Sequence, residues 1–175
     1  MPNCRGKVTD QRPVAAPVLL IQSHDATEFN SGESVLDDWL RKRAWDNLQS
    51  GASRTYIACP PDSARIVAYY ALSMGQILAH EATGAMRRNM PRTIPAVILG
   101  RLAIDRTWQG AGLGRAMLAD ITRRALVADK QVSARLIVVH AISPTSEAFY
   151  LHHGFTRLPV ETPTLALDLI KLRGF

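Results

Sequence analysis

The chain has 175 residues, 47% of them hydrophobic, which suits one domain with a sizeable core. No window approaches about 18 uninterrupted apolar residues, so no membrane span is expected. The formal net charge of +6 and pI near 9.8 read either as solubility or as a polyanionic partner, and they rest mostly on arginine, whose planar fork tilts the reading toward a phosphate-rich ligand.

Met1 to Pro17 is polar and proline-punctuated. Arg5, Lys7 and Arg12 are followed by no apolar run, so the segment reads as a flexible tail and not as a secretory signal. Cys4 sits in that tail and Cys59 closes a strand. Two such cysteines make no disulfide framework, and both are expected to be reduced in the cytoplasm. Residues 18–175 read as a single domain.

Val18 to Ile21 is the first strand. Asn30 or Ser31 caps a helix running to about Ser50, with Glu33 in its first turn and Gly51 just past its end. Leu36, Trp39, Leu40, Ala44 and Leu48 recur at helical spacing and form a buried face. Arg41, Lys42 and Arg43 lie across or beside it. Thr55 to Cys59 and Ile66 to Leu78 are strands joined by a hairpin through Pro60 to Ser63, the second bent at Gly75. His80 to Pro95 is a long polar loop, with room for a helical turn, holding Arg87, Arg88, Asn89 and Arg92. Ala96 to Ile104 is an apolar strand, and Leu113 to Asp129 a helix with Met117, Ile121 and Ala125 on one face. Arg135 to His140 is a strand. Ser143-Pro144 opens a short helix through His152, since serine caps and proline fits the first helical position. Phe155 to Arg157 and Thr164 to Ile170 are the last strands. This order predicts an α/β fold: a mixed sheet with helices on both faces.

The informative run is Leu102-Ala103-Ile104-Asp105-Arg106-Thr107-Trp108-Gln109-Gly110-Ala111-Gly112-Leu113-Gly114-Arg115. A strand enters a glycine-rich turn that opens directly into a helix. Glycines let the backbone come close, and N–H groups at a helix N-terminus favour an anion, so the turn suits a diphosphate. A tight turn without a ligand would look much the same. A dinucleotide site would need G-x-G-x-x-G after the first strand and an acid roughly 20 residues on. The spacing differs here, and Lys130-Gln131 stands where that acid would be.

Gln109-x-x-Gly112-x-Gly114 between strand and helix, followed by Ala148-Phe149-Tyr150-Leu151-His152-His153-Gly154-Phe155, resembles the GNAT-type N-acetyltransferase superfamily. The resemblance implies acetyl-CoA as cofactor, its pyrophosphate ringed by amides from about Gln109 through Gly110, Ala111, Gly112, Leu113 and Gly114 to Arg115. Leu102, Ala103 and Ile104 would supply backbone groups beside the pantetheine arm, and Ser143 belongs to the same cofactor-binding set. Tyr150, next to the sulfur, would protonate the departing thiolate. Read without that context, Tyr150 packs in the core beside Phe149 and Phe155. His140, His152 and His153 lack a third ligand at suitable spacing, so no metal is expected, and no Ser/His/Asp set is assignable.

Phe29-Asn30-Ser31-Gly32, Leu36-Asp37-x-Trp39-Leu40, Gly51-Ala52-Ser53-Arg54-Thr55, Tyr69-Tyr70-Ala71-Leu72, Arg88-Asn89-Met90-Pro91, Leu99-Gly100-Arg101-Leu102-Ala103 and Thr162-Pro163-Thr164-Leu165 resemble the TacT-like tRNA-acetylating toxins of type II toxin–antitoxin pairs. The likeness runs from about Val18 to Leu172. It departs at Ser31, where that family more often has cysteine. It implies acetyl transfer to the α-amino group of aminoacyl-tRNA. An α-amine with pKa near ~7.7–8.0 is already partly neutral, so no strong base is required. Arg41, Lys42, Arg87, Arg88 and Arg92 would contact tRNA phosphates. The resemblance also implies a ribbon-helix-helix antitoxin, operator DNA bound only through that complex, and a homodimer. The alternatives are an acetyltransferase for a small amine or protein N-terminus, and an idle module that only binds partners. A site for a cationic amine would want acids, and residues 80–95 hold only Glu81 against three arginines.

Overall fold

One seven-stranded sheet, ordered β1-β2-β3-β4-β5-β7-β6, organises the computed structural model, which describes residues 12–173. Cys4, Arg5 and Lys7 lie outside the described residues. The strands are β1 (Val18–Leu19), β2 (Arg54–Ala58), β3 (Ala68–Leu78), β4 (Thr93–Ile104), β5 (Leu136–His140), β6 (Thr156–Arg157) and β7 (Thr164–Asp168). Neighbours run antiparallel except β4 and β5, which are parallel because the helix between them returns the chain to the same end. That helix, α4 (Leu113–Val132), buries Met117, Leu118, Ile121 and Ala125 as a helical stripe.

The two faces of the sheet follow from alternation along the strands. On one, Ala68, Tyr70, Leu72, Val97, Leu99, Ile137, Val139 and Leu165 form a single core with α4 and with Tyr150 and Phe155. On the other lie two separate clusters. Tyr69, Ala71 and Ala103 pack under Trp39 and Leu40, while Ile94, Ala96, Leu136, Val138 and Ala166 pack under Met86 and Leu158.

Several expectations are corrected. The first helix is two: α1 (Ser34–Lys42) and α2 (Ala44–Gln49), broken at Arg43. Its N-cap is Glu33, which supplies no side-chain cap. Ser31 Oγ instead donates to Asp37 Oδ1 at 2.6 Å and accepts from the Glu33 amide, while Asn30 Oδ1 accepts from the Gly32 amide at 3.0 Å. The stretch 80–95 is shorter as a loop than expected. The helical turn it had room for is there, as α3 (Gly84–Arg87), but a 3-10 turn (Ala79–Glu81) precedes it and β4 already begins at Thr93. The irregularity in the long hairpin falls not at Gly75 but opposite Ala71 and Leu72, which pair with Arg101 and Leu99 and leave Gly100 as the extra residue on β4. Gly75 has another reason to be glycine: a Cβ there would lie 2.6 Å from Ile98 Cγ1.

Of the expected N-terminal tail, residues 12–17 are described, and here the chain is held. The Ala15 amide donates to Cys59 O at 2.9 Å, and Pro17 O accepts from Arg124 Nη2 at 3.0 Å. Helix α5 (Pro144–His152) begins as expected, with Ser143 and Ser146 capping each other.

Candidate active site

The sheet parts at its centre. Pairing of β4 with β5 ends at Leu99↔Val139, just before the Gly100 bulge, while β4 continues against β3 to Ile104. The Asp105 amide donates to Val67 O, which fixes the alternation of the ladder: Ala103 bonds toward β3, and the backbone groups of Leu102 and Ile104 point into the gap. An extended ligand lying in that gap can pair with them as an added strand does. Ile104 O is already taken by Gln109 Nε2 at 2.9 Å, which leaves Leu102 and the Ile104 amide.

Beyond Ile104 the chain turns through Arg106–Trp108 and reaches α4 with Gly112 as N-cap, at φ +84° and with no side-chain cap. Gly110 is also left-handed, at φ +79°, and neither glycine has an atom within 4 Å of a Cβ built on it. The amides of Gly110 to Arg115 have no acceptor among the described residues, the first helical bond being Ala116 N–H to Gly112 O. They open onto a cavity of about 830 Å³ lined by Thr107 to Gly112, Arg115 and residues 12–14. An uncapped helix N-terminus beside open backbone is a cradle for a pyrophosphate. A Cβ on Gly114 would sit 3.4 Å from the Phe149 ring, which puts α5 close against the start of α4. The Ser143 hydroxyl accepts from the Ser146 amide at 3.1 Å.

Tyr150 lies in α5 on the side of the larger core, its ring between Phe149 and Phe155 at centroid distances of 5.3 Å each. Phe149 touches the start of α4, so the tyrosine is tied to the glycine cradle through one side chain. Burial pushes its phenol well above the ordinary tyrosine value, so it stays protonated across the physiological range. The hydroxyl has no hydrogen-bond partner among the described residues, yet it reaches solvent, unlike Ser53 Oγ, Thr55 Oγ1 and Arg65 Nε, which are buried and unpartnered. A buried ring with an unpaired, accessible O–H is suited to donate a proton to a leaving group.

A group of contacts invisible in the sequence joins the glycine loop to the loop before α1. Asp105, 2% exposed, accepts from the Asn30 amide at 3.1 Å and from the Thr107 amide and hydroxyl at 3.0 and 2.6 Å. Burial alone would raise its carboxyl, but the Thr107 hydroxyl and the Asn30 and Thr107 amides overcome this and hold it below the usual range. The Arg106 amide donates to Asn30 O at 2.8 Å. Gln109, expected at the pyrophosphate, turns its amide to Ser31 O and Ile104 O, both at 2.9 Å. Its long-range partners, 78 residues away in the case of Ser31, left no local signal.

The basic residues divide. Arg41 donates to Phe29 O at 2.8 Å and lies 3.6 Å from Asp38, and Lys42 pairs with Asp38 at 3.2 Å. Arg87, Arg88 and Arg92 are exposed and make no ion pair among the described residues. They precede Thr93, whereas the gap opens at Gly100, seven residues or roughly 23 Å along the strand. They are thus too far for a reacting amine and within reach of a long polyanion. Arg101 stacks over the Trp39 ring at 4.3 Å, and Trp39 stacks on Tyr69.

Among the described residues no group of three His, Cys, Asp or Glu could hold a metal ion, and no helix is long and apolar enough to cross a membrane. A parted sheet, a helix-terminal anion cradle and an accessible phenol define an acyltransferase site working on a phosphate-bearing thioester. The GNAT acetyltransferase domain matches residues 62–157, and the chain belongs to that family. It is 41% identical, over 87% of its length and 91% of the relative's, to a tRNA-acetylating toxin of Mycobacterium tuberculosis. AtaT complexed with acetyl-methionyl-tRNAfMet superposes with a TM-score of 0.86 at 25% identity, covering 91% of this chain and 97% of that one. A tyrosine-to-phenylalanine mutant of AtaT, bound to the C-terminus of its antitoxin AtaR and acetyl-CoA, gives 0.78 at 25% identity, covering 91% and 96%.

Proposed function

We propose that this chain is the toxin of a toxin–antitoxin pair and transfers acetyl from acetyl-CoA to the α-amino group of aminoacyl-tRNA, ending the use of that tRNA in translation. The observation that carries the reading is the gap between β4 and β5, with the uncapped α4 terminus and Tyr150 beside it. The 41% identity to a tRNA-acetylating toxin supports the acceptor.

In this reading acetyl-CoA is a co-substrate that supplies an activated acetyl group. The amides of Gly110 to Arg115 hold its pyrophosphate, and Leu102 with the Ile104 amide pairs with its pantetheine arm. Tyr150 gives its proton to the sulfur as the C–S bond breaks. Arg87, Arg88 and Arg92 hold the tRNA body by phosphate contacts, which bind without reading sequence. Arg41 and Lys42 add positive potential from α1 while remaining tied to Asp38. The partners are a ribbon-helix-helix antitoxin and a second copy of the toxin, and the compartment is the cytoplasm.

The test is acetyl transfer from labelled acetyl-CoA to total bacterial tRNA, charged in one tube and deacylated in the other. Label is expected only with charged tRNA. Label in neither tube, with acetyl-CoA binding intact, overturns this acceptor in favour of a small amine or a protein N-terminus.

A further inference from the structure

We infer that His140 is a second catalytic residue, taking the proton that the acceptor amine loses. The inference rests on the reading above. His140 is the last residue of β5 and the first beyond the final β4–β5 pair, so it stands at the mouth of the gap. Leu136 and Val138 face the divided side of the sheet and Ile137 and Val139 the continuous side. Alternation therefore puts His140 on the divided side, opposite Tyr150. It is exposed.

Its ring is held. Nδ1 lies 2.8 Å from Oγ1 of Thr164, its cross-strand partner, which is 4% exposed. Thr164 Oγ1 lies in turn 2.9 Å from Thr162 Oγ1. The chain is satisfied in either direction. The direction in which Nδ1–H donates to Thr164 and Thr164 donates to Thr162 leaves the Nε2 lone pair free, as a base requires, and it is the one the inference uses. From β7 the ring's hydrogen-bond partner is the Thr164 hydroxyl. On the same face, β4 brings Arg101, which is engaged with Trp39. Among the described residues no charged group bonds to the imidazole.

The step balances. The amine nitrogen bonds to the carbonyl carbon and the C–S bond breaks. One amine proton goes to Nε2 of His140, and the Tyr150 proton goes to sulfur. Imidazolium and phenolate then return to their starting states through solvent, leaving amide and free thiol. Although a partly neutral α-amine needs no base to attack, the nitrogen becomes a far stronger acid once it has attacked, and a base poised on its side traps the product.

The test compares wild type, His140→Gln and Thr164→Val in single-turnover acetylation of charged tRNA at several pH values. His140→Gln is expected to lose roughly 100-fold at neutral pH with acetyl-CoA affinity unchanged. Thr164→Val, which keeps the imidazole but frees its ring, should lose less. Independently of turnover, carbethoxylation of His140 should be slowed by charged tRNA. A His140→Gln rate within twofold of wild type, with the same pH profile, overturns the inference, as does modification of His140 unaffected by charged tRNA. Absence of transfer by the wild type itself instead overturns the proposed acceptor, and this inference with it.

Discussion

The two faces of the sheet meet the same central gap and are built in opposite ways. The face carrying α4 and α5 is one unbroken core, and the glycine cradle and Tyr150 are fastened to it through Gly114 and Phe149. The other face is divided into two clusters, with Arg101 and His140 on the ground between them. In the proposed reaction a thioester must be held to a fraction of an ångström for transfer, whereas a tRNA end must be let in and out. Continuity serves the first need and division the second.

Tyr150→Phe tests the continuous face most sharply. It keeps the packing and removes only the proton donor, so acetyl transfer should fall about 100-fold or more in single turnover with acetyl-CoA affinity unchanged. An undiminished rate would take Tyr150 out of the chemistry and leave it as core. Gly112→Val should act on binding instead. At φ +84° a β-branched residue costs ~1–2 kcal/mol and distorts the cradle, so calorimetry should show acetyl-CoA binding weakened roughly tenfold.

Asp105→Ala should blur the comparison, because Asp105 joins the two sides. Removing a buried carboxylate that accepts from Asn30 and Thr107 should cost about 1–3 kcal/mol, read as a lower Tm. Its depressed carboxyl also predicts a pH dependence. The stabilisation is present above the unfolded value near ~3.9 and is lost as pH falls through the lower folded value, so Asp105→Asn should flatten that acid limb of stability. The smallest effect belongs to the rim. Arg87→Glu should weaken charged-tRNA binding severalfold, reduce its salt slope by about 1 and leave acetyl-CoA untouched. An equal loss of acetyl-CoA binding would mean that the two faces are not separable.

What could be read from the sequence was what local chemistry dictates. The strand–glycine–helix unit and the Ser143-Pro144 helix start each carry their signal within a few residues. Glycine itself was ambiguous. Gly75 and Gly100 occupy adjacent strands, but one makes room for Ile98 and the other is the inserted residue, and only the partner strand reveals which. Pro95 argued for a loop, yet β4 runs through it because pairing with β5 begins only at Ala96. The break at Arg43 escaped because the apolar spacing continues across it from Leu40 to Ala44. The contacts of Asp105 and Gln109 with residues 30–31 span more than seventy positions, and no local pattern encodes them.

The bulge at Gly100 contributes a count, not a side chain. A Cβ there would meet only Ala71 O, at an ordinary 3.8 Å, so the position tolerates another residue but not its entry into the ladder. Strand alternation is binary, and pairing Gly100 with Ala71 as an ordinary strand residue would invert everything downstream of it. Arg101 would leave Trp39 for the opposite side, and Leu102 would present to β3 the backbone groups it now offers to the gap. The reach of this enzyme toward its thioester is thus written as parity.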